Sequence, residues 1–317
     1  RAKRMYDQWQ RGELDPWTAQ GRPATVDAAC RHYVRERGQE LRDKGRGNVW
    51  LLKAVYRGAG IKTLQEIDVH TLRRAVYDPA KAEATQYSTY TKLHAVFEWL
   101  TGAGYFQCNP IKDVKKPSKP QRHPKYFVKK DLGRFIATAP EVYRLQKYAR
   151  RFPYPLWYVD ALLFYLYTGV RRGEGPRVCW GDVHAEHITI RDTKKKKDRI
   201  VPIIPPLRAL LTRLELDTRL SDSPHEPILK NCTGAKPISG KYLSRKFNQV
   251  RELARVPAIG LHGLRHTYAM LLVEKGIPPQ AIQKILGHDD MSTTQVYTNM
   301  LPADVLSAVQ RAFSEGL

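Results

Sequence analysis

Residues 188–204 read ITIRDTKKKKDRIVPII, and this stretch decides the fold class. Ile188 to Thr193 and Arg199 to Ile204 alternate with the period of a strand, and Lys194 to Asp198 is the turn between them. The reading is one β-hairpin with lysines at its tip. Everything around it is helical. Upstream, Pro155 to Tyr167 is a dense apolar and aromatic run that predicts a buried helix, stopped by Thr168-Gly169, with a second short helix starting around Arg171 to Glu174. Downstream, Pro206 to Leu216, Tyr242 to Arg255, His266 to Glu274 and Pro279 to Leu286 read as helices with brief connections. This part of the chain is therefore mainly α with a small antiparallel sheet.

The segment Asn109 to Lys125, NPIKDVKKPSKPQRHPK, holds four prolines among its lysines and arginines. It makes neither a helix interior nor a central strand, so it reads as a basic linker. Its lysines Lys112, Lys115, Lys116 and Lys119 are candidates to track phosphates, as are Lys195 and Lys196 on the hairpin; a solvated spacer is the alternative. Before the linker, residues 22–108 read as a small helical bundle. Val26, Ala29, Tyr33 and Val34 recur at helical spacing, Thr63 and Glu66 offer a capping box ahead of Ile67, and Leu93, Val96, Phe97 and Leu100 form a stripe ended by Gly102 and Gly104. Residues 1–21 show no sustained period and read as the remnant of an upstream module. The expected division is thus 1–21, 22–108, linker 109–125, a larger domain 126–301, and a terminal helix 302–317 with Val305, Val309 and Phe313 four apart.

A chain of 317 residues with 54 Lys and Arg against 31 Asp and Glu carries a formal charge of +23. That excess selects a polyanionic partner, nucleic acid ahead of an acidic membrane surface. No apolar run approaches the roughly 20 residues needed to span a bilayer, and no apolar signal segment is present, so the expected compartment is the cytoplasm or nucleoid. Cys30, Cys108, Cys179 and Cys232 are widely separated and read as small core residues, not as a metal site.

Chemistry enters with His262 and Arg265, three apart on one helix face, where Gly260 and Gly263 would allow close approach of another backbone. An arginine there offers a planar fork of donors suited to phosphate oxygens. Arg171 follows a buried helix, Lys194 sits on the hairpin tip, His288 follows Gly287, and Tyr297 lies nine residues further on. Taken singly, each has a plain alternative: a helix-end arginine, a solvated turn, a satisfied core histidine, a core tyrosine. Tyr165, Tyr167 and Tyr268 lie in apolar helical stripes and should pack. His262, His266 and His288 lack an accompanying thiolate or carboxylate at a metal-ligand spacing, so no metal is expected.

The stretches YTGVRRGE, LHGLRHTYAMLLVEKG and LGHDDMSTTQVY resemble the tyrosine recombinase (phage integrase) family. The resemblance implies a helical core-binding domain followed by a mixed α+β catalytic domain. It matches Arg171 to the arginine of T-G-x-R, with Glu174 three residues on as an acid that orients an arginine or the hairpin. Lys194 matches the lysine ahead of the run Lys197 to Pro202, His262 and Arg265 the H-x-x-R pair, His288 the histidine of Leu-Gly-His, and Tyr297 the nucleophile.

The family's chemistry implies that Tyr297 attacks a scissile phosphate, giving a 3′-phosphotyrosyl link and a 5′-hydroxyl. Arg171 and Arg265 would neutralise the phosphorane, Lys194 would protonate the departing oxygen, His262 would take the tyrosine proton, and His288 would donate to phosphate. The implied partners are duplex DNA with specific sites, a homotetramer on paired sites with the terminal helix exchanged between subunits, and accessory bending or directionality factors. A phage or mobile-element integrase is the first expectation and chromosome-dimer resolution the second. A type IB topoisomerase-like enzyme and an architectural protein that has lost catalysis are the competing classes.

Overall fold

The structure, a computed structural model, describes residues 25–41, 45–120, 124–144, 156–191, 198–218, 223–234, 236–288 and 294. The chain forms two compact units, Arg1–Arg122 and His123–Leu317.

The first unit is built from α1 (Val26–Arg37), α2 (Arg46–Gly58), α3 (Val69–Val76) and α4 (Glu83–Gly102). Thr25 caps α1 by accepting from the Ala28 N–H at 3.3 Å, and Asp68 caps α3 by accepting from Thr71 at 2.6 Å. Their apolar faces meet in one core: Ala29 and Tyr33, Leu52 and Tyr56, Leu72 and Val76, and Leu93, Val96, Phe97 and Leu100. The expected box at Thr63 and Glu66 opens no α-helix. Thr63 bonds the Glu66 side chain across a 3-10 turn, Leu64–Glu66, and the helix waits for Asp68. The proline-rich segment expected to be linker throughout begins as part of this unit. Pro110–Asp113 is a 3-10 turn opened by Asn109, and Ile111 and Val114 are buried in the core.

The second unit opens with α5 (Lys129–Thr138) and the short α6 (Glu141–Arg144), followed by α7 (Trp157–Thr168). The hairpin strands are β1 (His187–Ile190) and β2 (Arg199–Pro202), antiparallel, with Ile188 opposite Val201 and Ile190 opposite Arg199. Next come α8 (Pro205–Thr218), α9 (Gly240–Leu253), α10 (His262–Glu274) and α11 (Pro279–Leu286). As the apolar run predicts, α7 is central: Tyr158, Ala161, Phe164, Tyr165 and Leu166 are all buried, and α8, α9 and α10 pack around it. Gly169 ends α7 at φ 62° with an N–H to the Tyr165 carbonyl. A Cβ at Gly169 would stand 2.7 Å from Tyr268 and 2.8 Å from Leu286, so this glycine lets α10 and α11 close over the helix end. The mainly α fold with a two-stranded antiparallel sheet follows.

Three readings are corrected. The short helix expected to start around Arg171 to Glu174 is a 3-10 helix, Gly175–Arg177, which begins after a turn and is not an α-helix. Gly173, Gly175 and Pro176 disfavour an α-helix, and the Tyr165 hydroxyl donates to the Arg172 carbonyl at 2.7 Å, drawing the turn onto α7. Gly263 admits no foreign backbone; its missing Cβ makes room for the Ile259 side chain, 2.5 Å from where it would lie. Of the cysteines, Cys30 is buried, but Cys179 and Cys232 are half-buried and Cys108 is exposed. Among the described residues, no helix is long and apolar enough to cross a membrane.

Candidate active site

An α-helix leaves its last carbonyls without intrahelical donors and carries partial negative charge at that end. At the C-terminal end of α11, three consecutive carbonyls meet three arginines. Arg199 Nε donates to Ile285 O at 3.0 Å, Arg265 Nη2 to Leu286 O at 2.5 Å, and Arg171 Nη2 to Gly287 O at 2.6 Å. The arginines come from three elements: β2, the first turn of α10, and the turn after α7. Gly287 takes φ 66° and directs the chain from α11 into His288.

Arg265 is 2% exposed, and its Nη1 also donates to the Gly169 carbonyl at 2.7 Å. One guanidinium thereby joins the C-terminal ends of α7 and α11. Arg171 is more open, its side chain 38% exposed. Its main-chain N–H and Nη1 donate to the two oxygens of Glu174 at 2.7 and 2.8 Å. Glu174 is buried and also accepts from Arg199 Nη1 and Nη2 at 3.2 and 2.6 Å. Burial alone would raise the Glu174 carboxyl. The bonds and charge of Arg199, then of Arg171, outweigh it and bring the pKa down to about 2, so the carboxylate is ionised.

Three imidazoles accompany the arginines. His262 is the first residue of α10 and is exposed, with its ring 4.6 Å from that of His266 at 83°. Desolvation by the surrounding protein, then the Arg265 and Arg171 charges, lower its pKa below 6.5. His266 falls to about 4 and His288 to about 3, burial first in both and neighbouring cations after. All three rings are therefore neutral near pH 7. His288 is tethered at both ends: its N–H donates to Gln283 O at 3.1 Å, and Nδ1 lies 2.9 Å from Thr294 Oγ1.

The structure thus brings Arg171, Glu174, His262, Arg265 and His288 to one end of α11. Lys194, Lys195, Lys196 and Tyr297 lie outside the described residues. Lys112, Lys115, Lys116 and Lys119 are exposed and belong to the first unit. Lys112 pairs with Glu98 at 3.7 Å, and Lys116 sits 5.5 Å from the Tyr87 ring centre. Among the described residues, no group of three or more His, Cys, Asp and Glu side chains could hold a metal ion. Arg199 was missed as a site component. The available signal was its register: two residues before Val201, it shares the inward face of β2.

Residues 136–303 match the model of the phage integrase family. The tyrosine recombinase XerA of Pyrococcus furiosus is 29% identical over 259 residues, covering 79% of this chain and 84% of that protein. A crystal structure of a lambda integrase (75-356) dimer bound to a COC′ core site superposes with a TM-score of 0.70 at 18% identity, over 85% of this chain and 97% of the other. A lambda integrase tetramer bound to a Holliday junction gives 0.69 at 18% identity, over 84% and 78%. At that identity the two structures establish the shared fold.

Proposed function

The chain belongs to the phage integrase family of tyrosine-type site-specific DNA recombinases, and from this we propose that Tyr297 cleaves and rejoins DNA strands at a site formed with Arg171, Arg265, His262, His288 and Lys194. The observation that carries the proposal is the meeting of Arg171 and Arg265 on the adjacent carbonyls of Gly287 and Leu286. Two cations are held side by side next to His288, although they come from residues far apart in the chain.

In this reading Arg171 and Arg265 bind the non-bridging oxygens and stabilise the charge of the phosphorane. A tyrosine has a pKa near ~10 in water, so attack at neutral pH needs a base or a strong positive field. His262, neutral near pH 7, takes the Tyr297 proton as the Oη–P bond forms. The P–O5′ bond breaks, and Lys194 gives its proton to the departing 5′ oxygen. His288 donates to a phosphate oxygen. The 5′-hydroxyl of a partner strand reverses the step, and the phosphotyrosyl link conserves the phosphodiester energy, so no nucleotide cofactor is consumed.

The first unit serves as a core-type DNA-binding domain and residues 126–301 as the catalytic domain, with Lys112, Lys115, Lys116 and Lys119 against phosphates. Residues 302–317 are exchanged between subunits of a tetramer on paired sites. The biological role is integration and excision of a mobile element at nucleoid DNA in the cytoplasm, with accessory bending or directionality proteins.

Duplexes tiled across the DNA flanking the gene, each carrying a nick that traps the covalent intermediate, test this. A Tyr297-dependent adduct at a defined position and joined products from paired sites are expected. Relaxation of supercoils without joined products, or an adduct that persists in Tyr297→Phe, overturns the assignment.

A further inference from the structure

Arg199 is a buried arginine that the chemistry above does not use. Along β2, Arg199 and Val201 face inward while Ile200, 58% exposed, faces solvent, so a cation occupies a place where a strand normally turns an apolar side chain to the core. Arg199 is 8% exposed, and a guanidinium so buried is tolerated only with its donors met. Nη1 and Nη2 span both oxygens of Glu174, and Nε reaches Ile285 O.

Both groups that Arg199 holds also determine where Arg171 sits. Glu174 accepts from the Arg171 main chain and Nη1, and Gly287, two residues after Ile285, accepts from Arg171 Nη2. Gly287 itself rests on the Arg199 stem, where a Cβ would stand 2.8 Å from Cδ. The contacts close a ring from Arg199 through Glu174, Arg171 and the end of α11 back to Arg199.

We propose that Arg199 is a positioning residue for strand cleavage: by joining Glu174 to the C-terminal end of α11, it sets the Arg171 guanidinium relative to His288. The inference rests on Arg171 acting at the scissile phosphate. A buried ion pair that only stabilises the fold would not respond to the charge of the substrate. A displaced Arg171 would, because its guanidinium is needed most where both non-bridging oxygens carry charge.

The test is single-turnover cleavage of two nicked duplexes centred on the mapped site. One has an ordinary scissile phosphate, and the other a methylphosphonate in which a methyl group replaces one non-bridging oxygen. The full-length chain is compared as wild type, Tyr297→Phe, Arg171→Ala, Arg199→Lys and the double variant Arg199→Met/Glu174→Gln. The double variant removes both buried charges together, whereas Arg199→Met alone leaves the buried Glu174 carboxylate with Arg171 as its remaining cation; thermal melts verify folding.

On the phosphodiester, Arg199→Lys and the double variant should lose about 100-fold in rate, the effect of roughly an ångström of misplacement, with DNA affinity unchanged. On the methylphosphonate their loss should shrink in step with that of Arg171→Ala. Equal losses on both substrates, or wild-type cleavage by both variants, overturn the positioning role while leaving the active site standing. Absence of a Tyr297-dependent adduct in wild type refutes the site and this inference with it.

Discussion

Arg265 caps the helix that leads into His288, donating Nη2 to the Leu286 carbonyl and Nη1 to that of Gly169, so a residue proposed to bind phosphate also joins two helix ends. With 2% of its surface exposed, it leaves buried acceptors behind when removed. Each orphaned carbonyl costs about 1–3 kcal/mol. Arg265→Met should therefore lose about 3 kcal/mol in urea denaturation as well as its cleavage activity. Arg265→Lys keeps the charge but cannot bridge both carbonyls, and should retain more stability than activity. Undiminished stability in Arg265→Met would remove the capping role.

Gly287 is a second place where backbone and site are inseparable. Its φ of 66° is strained for any residue with a Cβ, and that atom would meet Arg199 Cδ at 2.8 Å. Gly287→Ala should cost about 1–2 kcal/mol from the left-handed conformation, with a further loss as Arg199 is pushed from Glu174. Denaturation midpoints of Gly287→Ala with and without Arg199→Lys measure the coupling; strictly additive effects would show that the two positions do not communicate.

Acid should unfold the second unit through the same network. Glu174 has its carboxyl held at about 2 against an ordinary 4.5, so its stabilisation is complete above pH 4.5 and is lost as pH falls towards 2. The difference corresponds to on the order of 3 kcal/mol. His266 at about 4 and His288 at about 3, both below 6.5, act in the same direction: their contribution is complete above pH 6.5 and declines as acid charges the unfolded chain. Stability measured from pH 7 to 3 should fall in wild type, and the decline below 4.5 should be shallower in Glu174→Gln. Parallel curves would exclude Glu174 as a source.

Cleavage rate should follow His262 in a different way. If neutral His262 takes the Tyr297 proton, the burial and the Arg265 and Arg171 charges that lower its pKa should move the acid limb of the rate profile to lower pH than a free imidazole would give. Replacing a general base typically costs about 10²–10⁴-fold. His262→Asn should lose activity within that range and lose the acid limb of the profile. A retained acid limb would assign it to another group.

Legibility in the sequence followed the kind of physics that each residue depends on. The helix ending at Gly169, the H-x-x-R pair at the start of α10 and the hairpin alternation are local signals of period and punctuation, and they could be read directly. The turn at Arg171 could not, because a tertiary bond from Tyr165 to the Arg172 carbonyl and the contact of Gly175 with the Tyr165 ring draw it onto α7. Arg199 escaped notice for a related reason. Its partners are Glu174 and Ile285, distant in sequence, and only the register of β2 hints that it turns inward. Ile111 and Val114 show the same limit, since proline-rich composition announces a linker while burial depends on a neighbouring core.

The basic segment yields the last prediction. Each phosphate contact releases close to one counterion, so the logarithm of DNA affinity should fall steeply with that of salt, and each lysine that meets a phosphate should contribute about one unit of slope. The lysines are not equivalent. All four are exposed, but Lys112 is paired with Glu98 and Lys116 lies by the Tyr87 ring, whereas among the described residues the Lys115 and Lys119 side chains have no such partner. Lys112 must surrender its carboxylate partner to reach DNA, which offsets part of its gain. Titrations across a salt series should show Lys115→Ala and Lys119→Ala each reducing the slope by about one, and Lys112→Ala reducing it less. The reverse order, or slopes unaltered by all three, would place the phosphate contacts elsewhere on the chain.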